Sequence, residues 1–290
     1  MTTYTPTSAE DRSAPSFHHP ALFYTTDEDY LRGVAAFVRA GVAAGRPVLV
    51  AVPDTRLQLL RDAADTGHED VTFVDMREAG RNPGRILSLL QHFADRYRDR
   101  RPSVVGEPIW VGRSAAEVRE ATRHEALINL AFDGRPVTIL CPYDTALPER
   151  VLAEAHRTHP VVGDPDGFRH SPRYEDPLTV CRDCDEPLDE PADPLVLHFR
   201  EQDLADVRDT AGRWGRTAGL SPRRHTDWVL AVNEATGNSV RHGGGQGVLR
   251  LWRTTSTLIA EVTDRGQLTD ALVGRRRPDP LSRPAAEAFG

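Results

Sequence analysis

Glu234 and Asn238 stand four residues apart in the stretch NEATGNSVRHGGG, residues 233–245, and TDRG further on places Asp264 two residues before Gly266. These residue types could divide a reaction among themselves. A carboxylate at Glu234 can take a proton from a hydroxyl, and the amide oxygen of Asn238 can ligate a hard cation. Asp264 can accept a hydrogen bond from an amino group, while Gly266 leaves space beside it. An acid and an amide at this spacing form no more than a solvated face on most helices. Here the glycines that follow permit left-handed backbone and close approach of another group just where the pair ends.

A helix from Ser221 to Arg241 must carry the pair. Ser221 suits the N-cap and Pro222 the first helical position. Trp228, Val229, Val232, Ala235 and Val240 make a core stripe, which turns Glu234, Asn238 and Arg241 to the other side. Ahead of this helix, PLVLHF reads as a strand with Leu195, Leu197 and Phe199 on one face, followed by a helix from about Gln202 to Ala218. After the glycines, GVLRLWRT and TLIAEVTDRG read as two strands joined by a short polar turn. The second domain, residues 194–290, is thus a β-α-α-β-β unit.

Over residues 17–162, short apolar runs alternate with helical patterns: ALFYTT, PVLVAVP, VTFVDM, VVGEPIW and VTILCPYD are the strands. Strands that return through helices of this length make a parallel sheet covered on both faces, so the fold class is α/β, with a five-stranded doubly wound first domain. Ligands of such sheets bind outside the carboxyl ends of the strands. His19, Tyr24, Glu107, Cys141 and Tyr143 outline a candidate sensor site there, with His18, Asp75 and Asp144 near it. Each taken singly is as well explained by a strand end meeting water. Cys141, near His124 and Glu125, also admits a nucleophile and base, although a strand Cys without an activating group is usually core.

Residues 1–16 are expected to be disordered, and residues 163–193, crowded with Pro and Asp, to be an interdomain linker. Cys181 and Cys184 form a C-x-x-C with no second pair, so two reduced thiols are favoured over a zinc site completed by His170 or His198.

Composition narrows the function classes. The formal charge is −7, which gives no basic footprint for nucleic acid or an anionic membrane and favours small molecules and proteins as partners. All 36 basic residues are Arg, which removes a P-loop and any Schiff-base chemistry. Three cysteines make no disulfide framework, the N-terminus has no signal-peptide pattern, and no apolar run approaches the roughly 20 residues that span a bilayer, so a cytoplasmic location is expected.

NEATGNSVRHG and DRG resemble the N-box and the D-x-G adenine motif of the GHKL, or Bergerat-type, ATP-binding superfamily, and in particular its anti-sigma factor serine/threonine kinases. The resemblance implies an α/β sandwich that binds ATP and Mg²⁺. It assigns Glu234 as the catalytic general base, Asn238 as the Mg²⁺ ligand, and Asp264, Gly266, His242 and Gly243 to the nucleotide site. One amide oxygen plus phosphates can hold Mg²⁺, and phosphoryl transfer depends mostly on positioning and charge stabilisation. The family's second glycine motif is expected to begin where the chain ends, so the domain reads as incomplete at its C-terminus. HHPALFYTTDEDYLRGVAAFVRAGVAAGRPVLVAVP and VTILCPYD resemble the MEDS domain, a sensory module.

The two resemblances together imply a regulator whose sensor binds an unidentified small molecule and controls a domain that engages a sigma factor, a STAS-type anti-sigma factor antagonist, or both; a homodimer is also implied. Two alternatives stand beside it. A sensor histidine kinase would need a phosphoacceptor His on a helical hairpin ahead of the ATP domain, where this chain has the Pro-rich segment and carries His225 inside the domain instead. A non-catalytic module would present the ATP fold only as a partner-binding surface.

Overall fold

Valines and leucines in short unbroken runs set the first unit. In the computed structural model, which describes residues 16–63, 71–189, 191 and 193–275, the run VLVAV forms a strand with every residue buried. Such a strand needs a neighbour on each edge and a helix layer on each face. It obtains them in a seven-stranded sheet of order β3-β2-β4-β5-β1-β6-β7. In chain order the elements are β1 (Pro20–Tyr24), α1 (Asp27–Tyr30), a π-helical turn (Leu31–Ala35) running into α2 (Ala36–Ala43), β2 (Val48–Val52), α3 (Asp54–Ala63), β3 (Val71–Asp75) and α4 (Met76–Ala79). There follow α5 (Ile86–Arg96), β4 (Ser103–Gly106), α6 (Ala115–Ala131), β5 (Thr138–Asp144), α7 (Glu149–Thr158), β6 (Val161–Asp164), β7 (Gly167–His170) and α8 (Pro177–Asp183). All ladders are parallel except β6 with β7.

Period-2 alternation divides the core into two layers. Val48, Val50 and Val52 join Tyr30, Val34, Val38, Leu57 and Leu60 on one face. Leu49 and Ala51 join Ile86, Leu90, Leu127, Val151 and Val180 on the other. Burying each such side chain contributes about 1.5–3 kcal/mol, so a charge at Val50 would break the sheet at its centre.

Two sequence expectations are corrected here. The first sheet has seven strands where five are expected, and the segment read as a linker is structured. Asp164 Oδ1 accepts from the N–H groups of Asp166 (2.9 Å) and Gly167 (3.2 Å), which closes the hairpin between β6 and β7. Asp176 caps α8 at Thr179 N (2.9 Å), with Pro177 at its first position. Val180, Cys181 and Cys184 are buried in the core below α6, and burial pushes both thiols up, Cys184 to about 11. Arg123 binds the Cys184 carbonyl (2.7 Å) and Asp185 (2.7 Å).

The second unit covers residues 187–270, so it begins seven residues before the expected start at 194 and ends before the expected 290. Residues 271–275 belong to the first unit, where Leu272 is buried and Arg275 meets Glu120 at 2.5 Å. In the second unit β8 (Leu195–Arg200), α9 (Leu204–Thr217), α10 (Pro222–His242), β9 (Gln246–Arg253) and β10 (Leu258–Thr263) form an antiparallel sheet of order β10-β9-β8 with two helices. Phe199, Val207, Ala211, Val232, Leu249 and Leu251 are its buried core, with Trp214 and Trp228 stacked beside them. Trp228 Nε1 donates to the Ala211 carbonyl (2.9 Å), joining α10 to α9. The expectations for residues 1–15 and for residues 276–290 lie outside the described residues. No helix among the described residues is long and apolar enough to cross a membrane.

Candidate functional site

The end of α10 is locked to the end of β10 by two hydrogen bonds, and a third, within the strand end, orients Asp264. Ser239, buried in the helix, donates its hydroxyl to Asp264 Oδ2 at 2.5 Å. Asp264 Oδ1 accepts from Gly266 N (2.8 Å), and Arg265 N donates to the Gly243 carbonyl (3.2 Å). This closeness dictates two glycines. A Cβ on Gly243 would overlap the Asp264 carboxylate and lie 2.6 Å from the Ser239 carbonyl, and one on Gly266 would lie 2.7 Å from the His242 carbonyl. Gly266 therefore makes room first for the helix terminus. Gly244 and Gly245 follow with φ of 88° and 79°, the left-handed turn that only glycine adopts freely.

Glu234, Asn238 and Arg241 are exposed on one side of α10, while Val232, Thr236 and Ser239 are buried on the other. Of the expected stripe, Val232 is fully buried and Trp228 and Val240 pack against the core. Thr236 satisfies its hydroxyl on the Val232 carbonyl (2.9 Å). Arg241 Nη2 donates to Asn238 Oδ1 (3.0 Å) and so orients the amide. Of the site residues expected in this unit, His242, Gly243, Asp264 and Gly266 meet at the helix end, and Asn238 and Glu234 lie one and two turns back along the exposed side of the same helix. The oxygens of Asp264 and Asn238 each keep a lone pair free of these bonds, which suits them to an amino donor and to a cation.

The first-unit candidates separate into two groups, because successive residues of a strand face opposite sides. Tyr24 and Glu107 belong to one. Glu107, just beyond β4, accepts from Tyr24 (3.0 Å) and Tyr30 (3.2 Å), and the guanidinium of Arg56 lies over both rings at 5.1 and 4.7 Å. Arg56 also pairs with Asp27 and, at 3.9 Å, with Asp144. Burial pushes the Glu107 carboxyl up to about 7 against the two phenols and the guanidinium, which lower it. This group sits at the carboxyl ends of β1, β4 and β5, the expected place for a ligand crevice. Tyr30 and Arg56 are absent from the sequence reading, since a helix Tyr and a helix Arg carry no local signal of their partner.

His19, Cys141 and Tyr143 form the other group, on the face toward α6 and α7. Cys141 lies in the middle of β5, away from the strand end, and Ala21 opposite it sets the register. His19 Nε2 is 3.1 Å from Glu125 Oε2, and Cys141 Sγ is 3.4 Å from both. His159, which precedes β6, completes the set at 3.5 Å from Glu125 Oε2. Burial holds His19 down at about 4 and pushes the Cys141 thiol up, so no thiolate is generated for a nucleophile. His124 is buried but makes no contact with Cys141 of the kind a base needs. Asp75 caps α4 at Arg77 N (2.8 Å), a local role, and His18 bonds Ser16 (2.8 Å).

Comparison with protein families finds two matches. The model described as MEthanogen/methylotroph, DcmR Sensory domain (MEDS) matches residues 18–160, and the one described as histidine kinase-like ATPase domain matches residues 197–288. A comparison with curated proteins finds no match. The helix-to-strand lock of the second unit and the parallel sheet of the first accordingly belong to two known modules: the chain is a MEDS sensory domain followed by a histidine kinase-like ATPase domain.

Proposed function

We propose that the protein is a cytoplasmic anti-sigma factor and serine/threonine kinase of a partner-switching system, regulated through its sensory domain. A sensory domain joined to a kinase-like ATPase domain is the architecture of a signalling regulator. The observation that carries the finer reading is the placing of exposed Glu234 and Asn238 one turn apart, directly before a helix end fixed to Asp264. ATP with Mg²⁺, when bound, supplies the phosphoryl group. Asn238 would hold the cation through its amide oxygen, with Arg241 keeping that amide in place. Asp264 would accept from the adenine amino group, its carboxylate already oriented by Ser239 and Gly266 N. Glu234, free of any ion pair in the described residues, would take the proton from a Ser or Thr hydroxyl of an antagonist.

The test is calorimetric titration of the full chain with Mg-ATP, with Asn238→Ala as control, then kinase assays on STAS-type antagonists and capture of sigma factors. Binding that Asn238→Ala abolishes, followed by antagonist phosphorylation lost in Glu234→Ala, is expected. Nucleotide-independent capture that survives both substitutions would favour the non-catalytic binding module. The histidine kinase reading is opposed by His225, whose Nε2 lies 2.8 Å from the Gly212 carbonyl and joins α10 to α9. An acid-labile phosphoryl signal on the chain would restore it.

A further inference from the structure

The cluster of His19, Glu125, Cys141 and His159 contains more lone pairs than hydrogens, even with the Tyr143 hydroxyl counted beside Glu125. Asn129 fixes the tautomer of His19: its Nδ2 donates to the carbonyls of Thr158 (2.8 Å) and Glu125 (3.2 Å), so its Oδ1 must accept from His19 Nδ1 (3.1 Å). His159 Nδ1 is 2.9 Å from the Ala155 carbonyl, which can only accept. Both imidazoles thus spend their N–H outward and turn a bare Nε2 toward Glu125. His159 Nε2 and Glu125 Oε1 are buried without a hydrogen-bond partner. His19, His159 and Glu125 side chains have no exposure at all. Three Lewis bases and one thiol facing one another in a dry interior are costly unless a cation lies among them.

We propose that His19, Glu125, Cys141 and His159 bind one divalent metal ion of the zinc class, buried in the sensory domain between β1, β5, α6 and the start of β6. The ligand atoms already lie within 4.8 Å of one another. A tetrahedron with zinc-to-ligand bonds of about 2.0–2.3 Å has edges of about 3.3–3.7 Å. Four of the six edges are 3.1, 3.4, 3.4 and 3.5 Å, and the two from His159 to His19 and Cys141 lie within 4.8 Å, a gap that closes as the ion draws His159 in. Charge also balances: a Cys141 thiolate and the Glu125 carboxylate neutralise a dication, and the two histidines remain neutral. The thiol proton leaves to solvent on binding. Asn129 and the Ala155 carbonyl hold the outer nitrogens, as outer-shell partners of metal-bound histidines do. The donor set excludes Mg²⁺ and Ca²⁺, which need oxygens. This inference stands independently of the kinase reading, because it concerns the first unit alone.

The test begins with the full chain purified without chelator and analysed for metal by mass spectrometry, then stripped and reloaded with Co²⁺. One equivalent of zinc-class metal is expected, with intense tetrahedral ligand-field bands and a thiolate-to-cobalt charge-transfer band. Cys141→Ser should lose that band, whereas Cys181→Ser and Cys184→Ser, which change buried thiols outside the cluster, should keep it. Asn129→Ala should weaken zinc affinity about 10–100-fold while retaining the spectrum. Where Cys141→Ser fails to fold, the wild-type cobalt spectrum decides alone. Weak, octahedral or thiolate-free cobalt bands, or a chain that neither carries zinc nor gains thermal stability from it, would overturn the proposal.

Discussion

Glu107→Gln should make the first unit's stability much less dependent on pH. Glu107 is wholly buried, and burial raises its carboxyl from the ordinary 4.5 to about 7 in spite of the hydrogen bonds from Tyr24 and Tyr30 and the charge of Arg56. The folded protein therefore holds a proton that the unfolded chain releases at lower pH. Its stabilising effect is complete below 4.5 and is lost as pH rises toward 7 and beyond. The whole shift corresponds to about 3 kcal/mol, most of which is lost between about pH 5 and about pH 8. Gln keeps an oxygen for Tyr24 and never ionises. The stability gap between variant and wild type should thus move in the variant's favour by about 2–3 kcal/mol across that interval, while every other titrating group cancels in the comparison. All three cysteines are buried in the first unit, so pulse thiol labelling across a urea gradient reads that unit. A gap that stays constant with pH, or that moves against Glu107→Gln as pH rises, would refute a neutral Glu107 at the strand ends.

Gly243→Ala should destabilise the second unit by about 1–3 kcal/mol through overlap with Asp264, since φ at Gly243 is an ordinary −97°. Gly244→Ala, in open space but at φ 88°, should cost about 1–2 kcal/mol through its backbone and leave the Ser239 to Asp264 bond intact. Thermal unfolding followed by tryptophan fluorescence checks both, because Trp214, Trp228 and Trp252 lie in that unit; a wild-type midpoint for Gly243→Ala would contradict the lock. Trp228→Phe should cost about 1 kcal/mol by removing the cross-helix hydrogen bond to the Ala211 carbonyl, measured by urea denaturation followed by circular dichroism. Cys181 and Cys184 should resist a thiol reagent in the native protein and react on unfolding, because burial raises both thiols; rapid native labelling of either would show α8 to be open.

Long, strongly patterned elements were legible in the sequence, and the short ones that close the first sheet were not. The runs behind β1 to β5 are mostly apolar, and α10 announces itself by its Ser-Pro start and its glycines. The hairpin of β6 and β7 rests on four residues a side, too few to show alternation, and its turn is made by the same Asp, Pro and Gly types that mark a linker. The signal was present in Asp164-Pro-Asp-Gly, which sets a tight turn, and in Asp176-Pro177, which opens a helix. What tips both toward order is burial of Val162, Val180 and Cys181, a long-range fact that no local window contains.

The two sites differ in legibility for the same reason. Glu234, Asn238, Asp264 and the glycines lie within one helix, one turn and one strand end, where spacing fixes which side chains share a face. The sensory-domain residues are brought together by a parallel sheet whose neighbours are far apart in the chain. His19 reaches Glu125 across 106 positions and Cys141 across 122. Tyr24 and Glu107 do meet at strand ends, whereas Cys141 and His19, grouped with them from the sequence, fall on the opposite face through the alternation of the strands. Tyr24 follows Phe23 and therefore faces α1 and α2, whereas His19, Ala21 and Phe23 face α6 and α7. A single strand thus serves the buried Tyr24 and Glu107 pair with one set of alternate residues and the His19 cluster with the other, and substitutions in the two sets should separate: Tyr24→Phe should change the pH dependence of stability set by Glu107 while leaving the cobalt spectrum of the His159 cluster unchanged.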